Sequence, residues 1–228
     1  MRVPRIGRAA SLLVLLGFAV WWTVRTSAGR PAEPAGPFPV PALDERLSTQ
    51  KGRETAVFAG GCFWGVQAVF EHVKGVTRVV SGYSGGSVEN PYYDLVSGGS
   101  TGHAESVLVE YDPSEITYGR LLMIFFSVAH DPTQVNRQGP DIGTQYRSAV
   151  FPRSAEQEKI ARAYVDQINR AKVYTRALAT EIRAYSSFYP AEDYHQDYLS
   201  KHPDSAYIRA FDLPKLDRLK KVYPELYR

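Results

Sequence analysis

The stretch Thr55-Ala56-Val57-Phe58-Ala59-Gly60-Gly61-Cys62-Phe63-Trp64-Gly65 organises the rest of the chain. Its first half is an unbroken apolar run, the pattern of a buried strand. After it, Phe63, Val66, Val69, Phe70 and Val73 recur at helical spacing, which predicts a helix over 63–73. Gly60 and Gly61 let the backbone turn sharply between the two elements. Cys62 is thereby placed at or near the first turn of a helix. Unpaired N–H groups and the positive end of the helix dipole favour a thiolate there, and the thiolate is the nucleophilic form. A lone cysteine also serves as a small buried hydrophobe, and local sequence leaves both readings open.

Outward from this unit, periodicity predicts a strand at 54–59, a second at 76–83 and a third at 105–111, where Val107, Val109 and Tyr111 share one face. Helices are expected at 117–128, from Ser154 to about Lys172, near 192–200 and at 214–222. The second of these starts on a Ser154/Gln157 capping box. A strand is expected at 146–151 and a last one within 175–185. Residues 84–103 and 130–145 read as long loops, which are uncommon inside a compact domain and often functional. Their order predicts that the two meet over Cys62. Strands alternating with helices indicate an α/β (α+β) fold, a two-layer plait with helices packed on a mixed sheet.

The 228 residues carry 27 basic and 24 acidic side chains, but the formal charge of +3 is unevenly placed. Arg2, Arg5, Arg8, Arg25 and Arg30 lie in the first thirty residues with no acid among them, so residues 31–228 carry −2. That balance speaks against nucleic-acid binding by the folded part. Arg2, Arg5 and Arg8 precede an apolar stretch from Ala9 to Val24, and Thr26-Ser27-Ala28 offers small residues for cleavage. Residues 1–28 therefore read as a signal peptide, or else as an uncleaved N-terminal membrane anchor, with export to the cell envelope as the expectation. Residues 29–50, with Pro31, Pro34, Pro37, Pro39 and Pro41, read as an extended linker. A catalytic domain is expected over 51–212 and a charged, aromatic tail over 213–228. The sequence has one cysteine, which excludes a disulfide within it and is unusual for an exported chain.

Five histidines are present: His72, His103, His130, His195 and His202. A Cys–His hydrolase would pair one of them with Cys62, yet the papain-like context around the cysteine is missing. His103-Ala104-Glu105 matches half of a zinc-deaminase pattern, but a single cysteine cannot supply the other half, and no metal site is expected. Glu105 opens an apolar strand beside the glycine-rich run Gly98-Gly99-Ser100-Thr101-Gly102. A half-buried carboxyl there holds its proton near neutral pH, whereas a strand-end acid facing water does not. Tyr93, in the first long loop, and Tyr146, after the second, are placed to donate phenol hydroxyls into a shared pocket with an apolar floor of Phe63 and Trp64.

Six motifs, in order, resemble the peptide methionine sulfoxide reductase A family. They accompany Gly60-Gly61-Cys62-Phe63-Trp64-Gly65 as Gly82-Tyr83-Ser84-Gly85-Gly86, Asn90-Pro91-Tyr92-Tyr93, Gly102-His103-Ala104-Glu105, His130-Asp131-Pro132-Thr133, Gly143-Thr144-Gln145-Tyr146-Arg147-Ser148 and Ala191-Glu192-Asp193-Tyr194-His195-Gln196. The resemblance spans roughly residues 54–203. It implies reduction of methionine-S-sulfoxide, in proteins or free, with Cys62 attacking the sulfoxide sulfur and Glu105 protonating its oxygen. It further implies that Tyr93 and Tyr146 hydrogen-bond that oxygen, that Asp141 positions the polar side, and that Phe63 and Trp64 cradle the S-methyl group. Many members carry C-terminal resolving cysteines, which this sequence lacks. The resemblance then implies a Cys62 sulfenic acid recycled by an external thiol, a thioredoxin-like protein or a small thiol, with no bound cofactor and a monomeric chain. The competing readings are an exported binding module without turnover and a cysteine hydrolase.

Overall fold

The computed structural model describes residues 38–228. The leader expected at 1–28 and the first part of the proline-rich stretch lie outside the described residues. Strand β1 (Glu54–Gly60) leads into helix α1 (Phe63–Glu71), and strand β2 (Val76–Ser84) returns parallel to β1. Strand β3 (Ala104–Tyr111) inserts between them, antiparallel to both, with Phe58 opposite Val107 and Tyr83 opposite Glu105. Helix α3 (Tyr118–Ile124) then carries the chain across to strand β6 (Ser148–Val150), antiparallel to β1 on its other side. The central order β6-β1-β3-β2 is two interlocked β-α-β units, the plait expected from the alternation of elements. Strands β7 (Glu181–Ile182) and β8 (Phe188–Pro190) extend the sheet to six strands at its two edges.

β1 is buried on both faces, which is why it reads as a continuous apolar run. Ala56 and Phe58 face the helix layer with Val66, Val69 and Phe70, while Val57 and Ala59 face a smaller cluster with Ala149 and Phe151. The rings of Phe58, Phe70 and Phe125 stack at 5.4 and 4.9 Å between centroids, tying β1 to α1 and to the turn after α3. Helix α4 (Ala155–Arg170) begins as its capping box predicts, with Ser154 Oγ accepting from the Gln157 N–H at 3.1 Å.

Several boundaries differ from the sequence reading. The loop over 84–103 contains a short helix α2 (Tyr93–Ser97), and the loop over 130–145 contains a hairpin of β4 (Arg137–Gln138) and β5 (Asp141–Ile142). Neither is long enough to show a periodicity. The strand expected at 146–151 is shorter, because Tyr146 closes a 3₁₀ turn. The helix expected at 117–128 changes to a wider π-helical turn over Phe125–Ala129. There Ser127 Oγ donates back to the Met123 carbonyl at 2.6 Å, a competing bond of the kind that disturbs a helix. The helix near 192–200 is split: a 3₁₀ turn (Asp193–His195) is separated from α5 (Tyr198–Lys201) by Asp197 in the left-handed region at φ 55°.

The linker and tail assignments also need correction. From Phe38 onward the presumed tether is docked on the domain. Tyr164 donates to the Pro39 carbonyl at 2.6 Å, and Asp44 accepts from Thr117 Oγ1 at 2.6 Å and from the Gly119 N–H at 2.8 Å. The tail is equally part of the fold. Helix α6 (Leu213–Val222) buries Leu219, and beyond it Lys74 donates to the Leu226 carbonyl at 2.8 Å while the Arg228 guanidinium reaches Val76 O at 2.8 Å. Both segments make their contacts with residues far away in the chain, so no local pattern marks them. Among the described residues no helix is long and apolar enough to cross a membrane.

Candidate active site

Cys62 is the residue that caps the N-terminus of α1, immediately after the β1 turn. Gly61 makes that turn at φ 89°, and a Cβ there would collide with Gln138 of β4, so only glycine fits. The first turn of α1 then offers its backbone amides to the site. The Phe63 N–H donates to Glu105 Oε2 at 3.0 Å, and the Trp64 N–H favours charge on the Cys62 sulfur. Glu105 reaches this point because β3 lies beside β1 and its first residues run level with the β1–α1 turn.

Glu105 is 3% exposed. Burial pushes its carboxyl up to about 8, against the opposing pull of the Phe63 N–H and with help from the Asp141 charge. It therefore holds a proton at neutral pH, the state in which a carboxylic acid can donate. Of the two alternatives open for this residue, the buried acid is the one found, more deeply buried than expected.

Cys62 departs from expectation. It is only 9% exposed, and burial together with the Glu105 and Asp212 charges drives its thiol well above the ordinary range. The Trp64 N–H and Lys215 act in the opposite direction and lose. The resting site thus holds a thiol, where the helix N-terminus alone argued for a thiolate. The amides of one helical turn contribute a fraction of a charge, and desolvation outweighs them, with Asp212 and, once it is ionised, Glu105 acting in the same direction.

The long loops do meet. Gln145 Nε2 donates to the Ser97 carbonyl at 2.9 Å, bringing α2 beside the turn of Thr144–Tyr146. Tyr93 opens α2, its N–H held by Glu192 Oε1 at 2.8 Å. Burial first, and then the charges of Glu105, Cys62 and Asp141, raise the phenols of both Tyr93 and Tyr146. Both stay protonated donors facing the same centre. Asp141, on β5, accepts a short hydrogen bond from Tyr207 Oη, and burial raises its carboxyl as well. Phe63 is 1% exposed and packs against Tyr83 and His195, so it forms the floor below the sulfur. Trp64 is more open and is locked in place, stacked on Tyr198 at 3.7 Å with Nε1 donating to His195 Nδ1 at 3.2 Å.

Sequence reasoning assigned no role to His195, Tyr207, Asp212 or Lys215. His195 is 3% exposed, lies between Phe63, Tyr93 and Tyr194, and leaves Nε2 without a hydrogen-bond partner. The motif around it was visible, but its neighbours on α1 and α2 were not. His103 and His130 are structural. His103 uses both ring nitrogens on the Gly86 N–H and the Val88 carbonyl, which removes it as a metal ligand beside Glu105. His130 lies against Gly60, bonded to the Phe125 carbonyl and Ser148 Oγ, and burial lowers it to about 4, so it is neutral.

The sequence profile of the family described as peptide methionine sulfoxide reductase matches residues 54–226. This chain belongs to that family. It is 55% identical over 185 residues to "Peptide methionine sulfoxide reductase MsrA 2" of Mesorhizobium japonicum, covering 81% of this chain and 94% of that protein. With the protein of the same name from Synechocystis sp. it shares 51% over 189 residues, covering 83% and 88%. The reductase is also similar in structure to reduced Mxr1 of Saccharomyces cerevisiae, at a TM-score of 0.62 and 32% identity over 72% of this chain and 92% of that one. Methionine sulfoxide reductase A of Corynebacterium diphtheriae gives a TM-score of 0.60 and 35% identity, covering 76% and 89%. The chain is thus an oxidoreductase that reduces methionine sulfoxide, and neither the hydrolase nor the binding-module reading survives.

Proposed function

We propose that the reductase carries methionine-S-sulfoxide through its cycle with Cys62 as nucleophile and Glu105 as acid. The observation that carries this reading is the Glu105 carboxyl clamped by the Phe63 N–H at 3.0 Å, protonated at neutral pH, one residue along the chain from the sulfur. A sulfoxide oxygen leaves its sulfur only once protonated, so the acid and two phenol donors are the groups the reaction requires. Sulfoxide bound with its oxygen toward Glu105, Tyr93 and Tyr146 presents its sulfur to Cys62. The Cys62 sulfur attacks, the S–O bond of the substrate breaks, and the oxygen stays on Cys62. Methionine leaves and Cys62 becomes a sulfenic acid, two electrons having passed from the cysteine to the substrate. Two external thiols then return it to the thiol, giving one disulfide and one water. Trp64 and Phe63 supply the apolar wall for the S-methyl group, and Asp141, held by Tyr207, the polar one. We favour a thioredoxin-like protein or a small thiol as the reductant, and oxidised proteins or free methionine sulfoxide as substrates.

With one cysteine in the sequence, a stoichiometric dose of sulfoxide without reductant is expected to leave one added oxygen on the intact protein. Mass spectrometry with a sulfenic-acid trap reads this. An unmodified protein after methionine has been formed would overturn the sulfenic-acid route.

Export to the cell envelope is a second part of the proposal, supported by the arginine-flanked apolar stretch from Ala9 to Val24. N-terminal sequencing of the protein from a fractionated native cell is expected to find it in the envelope fraction, either starting near residue 29 or retaining residues 1–28 as an anchor. Recovery of the full-length chain from the cytosol alone would remove this part and leave the chemistry untouched.

A further inference from the structure

The C-terminal segment places a buried ion pair against the first turn of α1. Lys215 Nζ donates to Asp212 Oδ1 at 3.0 Å, with the lysine side chain 11% exposed and the aspartate 0%. Both charged ends occupy the space that a side chain on Gly65 would fill, Asp212 in outright collision with a Cβ built there. Gly65 lies three residues after Cys62, on the same face of the helix. Bonds from Cα to Cβ tilt toward the helix N-terminus, so that space leans toward the sulfur. Gly65 is thus the position that lets a charged pair approach the reactive end of α1.

A pair that only pinned the tail would be satisfied on both carboxylate oxygens, because a half-bonded buried charge is costly. Asp212 Oδ2 is buried with no partner. The cost is kept in a place where it acts on the Cys62 sulfur, and on Asp141 and Tyr207 beside it. The charged or titratable groups that face Cys62 are Glu105 from β3, Tyr93 from α2, Tyr146 from the turn before β6, Tyr207 and Asp212 ahead of α6, and Lys215 on α6, with Asp141 of β5 in turn facing Glu105 and Tyr207. Lys215 is the one cation in this set.

We propose that Lys215 is a positioning residue of the reductase that supplies the counter-charge for the ionised Cys62 sulfur, with Asp212 fixing the ammonium against Gly65 and setting how strongly it acts. The pair serves a chain whose sulfur is buried among acids and which has no second cysteine. Each time substrate or reductant requires charge on Cys62, the ammonium offsets it, while Asp212 keeps the resting thiol protonated and protected from adventitious oxidation.

The test is the pH dependence of iodoacetamide alkylation of the reduced, substrate-free protein, which has one thiol to report. Lys215→Met is expected to move the midpoint up by about one pH unit and to slow alkylation at neutral pH about tenfold. Lys215→Arg keeps the charge and is expected to stay within about threefold of the wild type. Asp212→Asn is expected to move the midpoint down by about one unit, the opposite sign, which a merely structural role for the pair does not produce. A folded Lys215→Met protein whose midpoint stays within about 0.2 unit of the wild type overturns the proposal. Should that variant fail to fold, an unmoved or raised midpoint in Asp212→Asn overturns it instead. The readout needs no sulfoxide, so it stands apart from the turnover assay that tests Cys62 as the nucleophile.

Discussion

Replacing Cys62 with serine is expected to abolish reduction of a methionine-S-sulfoxide peptide in the presence of dithiothreitol, with a loss of at least about 10⁴-fold in kcat/KM. Serine is close in size, so the buried site below the β1–α1 turn keeps its packing and the variant should melt near the wild type. A hydroxyl cannot take up the substrate oxygen and pass through the reversible oxidation that a sulfur allows. The assay counts methionine formed against dithiothreitol consumed, with circular dichroism as the control for folding. Residual turnover above about one per cent in a folded protein would mean that another group carries the reaction. No second cysteine is present in the sequence to do so.

Glu105→Gln is the second large effect, and it has two signatures. The variant keeps an acceptor for the Phe63 N–H but loses the acidic proton. Removal of a positioned general acid costs about 10²–10⁴-fold in the first step, so kcat for methionine formation should fall by that factor with KM changed by less than about threefold. A raised KM with unchanged kcat would assign Glu105 to binding alone. In the wild type the acid form is lost as pH rises through about 8, so the first step should decline above that pH. The declining limb assigned to Glu105 should vanish in the variant.

Stability should move the other way. The Glu105 carboxyl is raised in the folded protein, so the neutral form is the one the fold favours. Its contribution is complete below the ordinary carboxylate value of about 4.5 and is lost progressively as pH rises to about 8. Glu105→Gln avoids that loss and is expected to be more stable than the wild type at pH 9 by roughly 2–4 kcal/mol, with little difference near pH 4. Denaturant melts at the two pH values measure this. A gain at pH 9 alongside a collapse in rate would mark Glu105 as a residue kept for chemistry at the expense of the fold.

Much of the scaffold was readable because it is local. The apolar run of β1, the paired glycines and the helical spacing from Phe63 to Val73 lie within twenty residues and impose strand, turn and helix without help. The alternation of β3 and the capping box of α4 are local in the same sense. The plait follows because connections of that length between parallel strands admit few arrangements. Glu105 was legible as a candidate because a carboxylate at the head of an apolar strand is anomalous. Residues 38–48, α6 and the last residues were misread as tether and tail for the converse reason. Their docking depends on Gln167, Thr117 and α1, from which they are separated by seventy to more than a hundred residues.

The linear order of residues was enough to single out Cys62, Glu105 and the glycine turn between β1 and α1 as candidates, since each stands out against neighbours a few positions away, while their roles came from the family resemblance. The protonation state of the sulfur was beyond its reach. That state is a balance of burial, one helix end, two acids and an ammonium, and Asp212 and Lys215 join the balance only after the chain has folded back across about 150 residues onto Gly65. Electrostatic energy depends on distance through space and on how much water is excluded, neither of which spacing along a chain records.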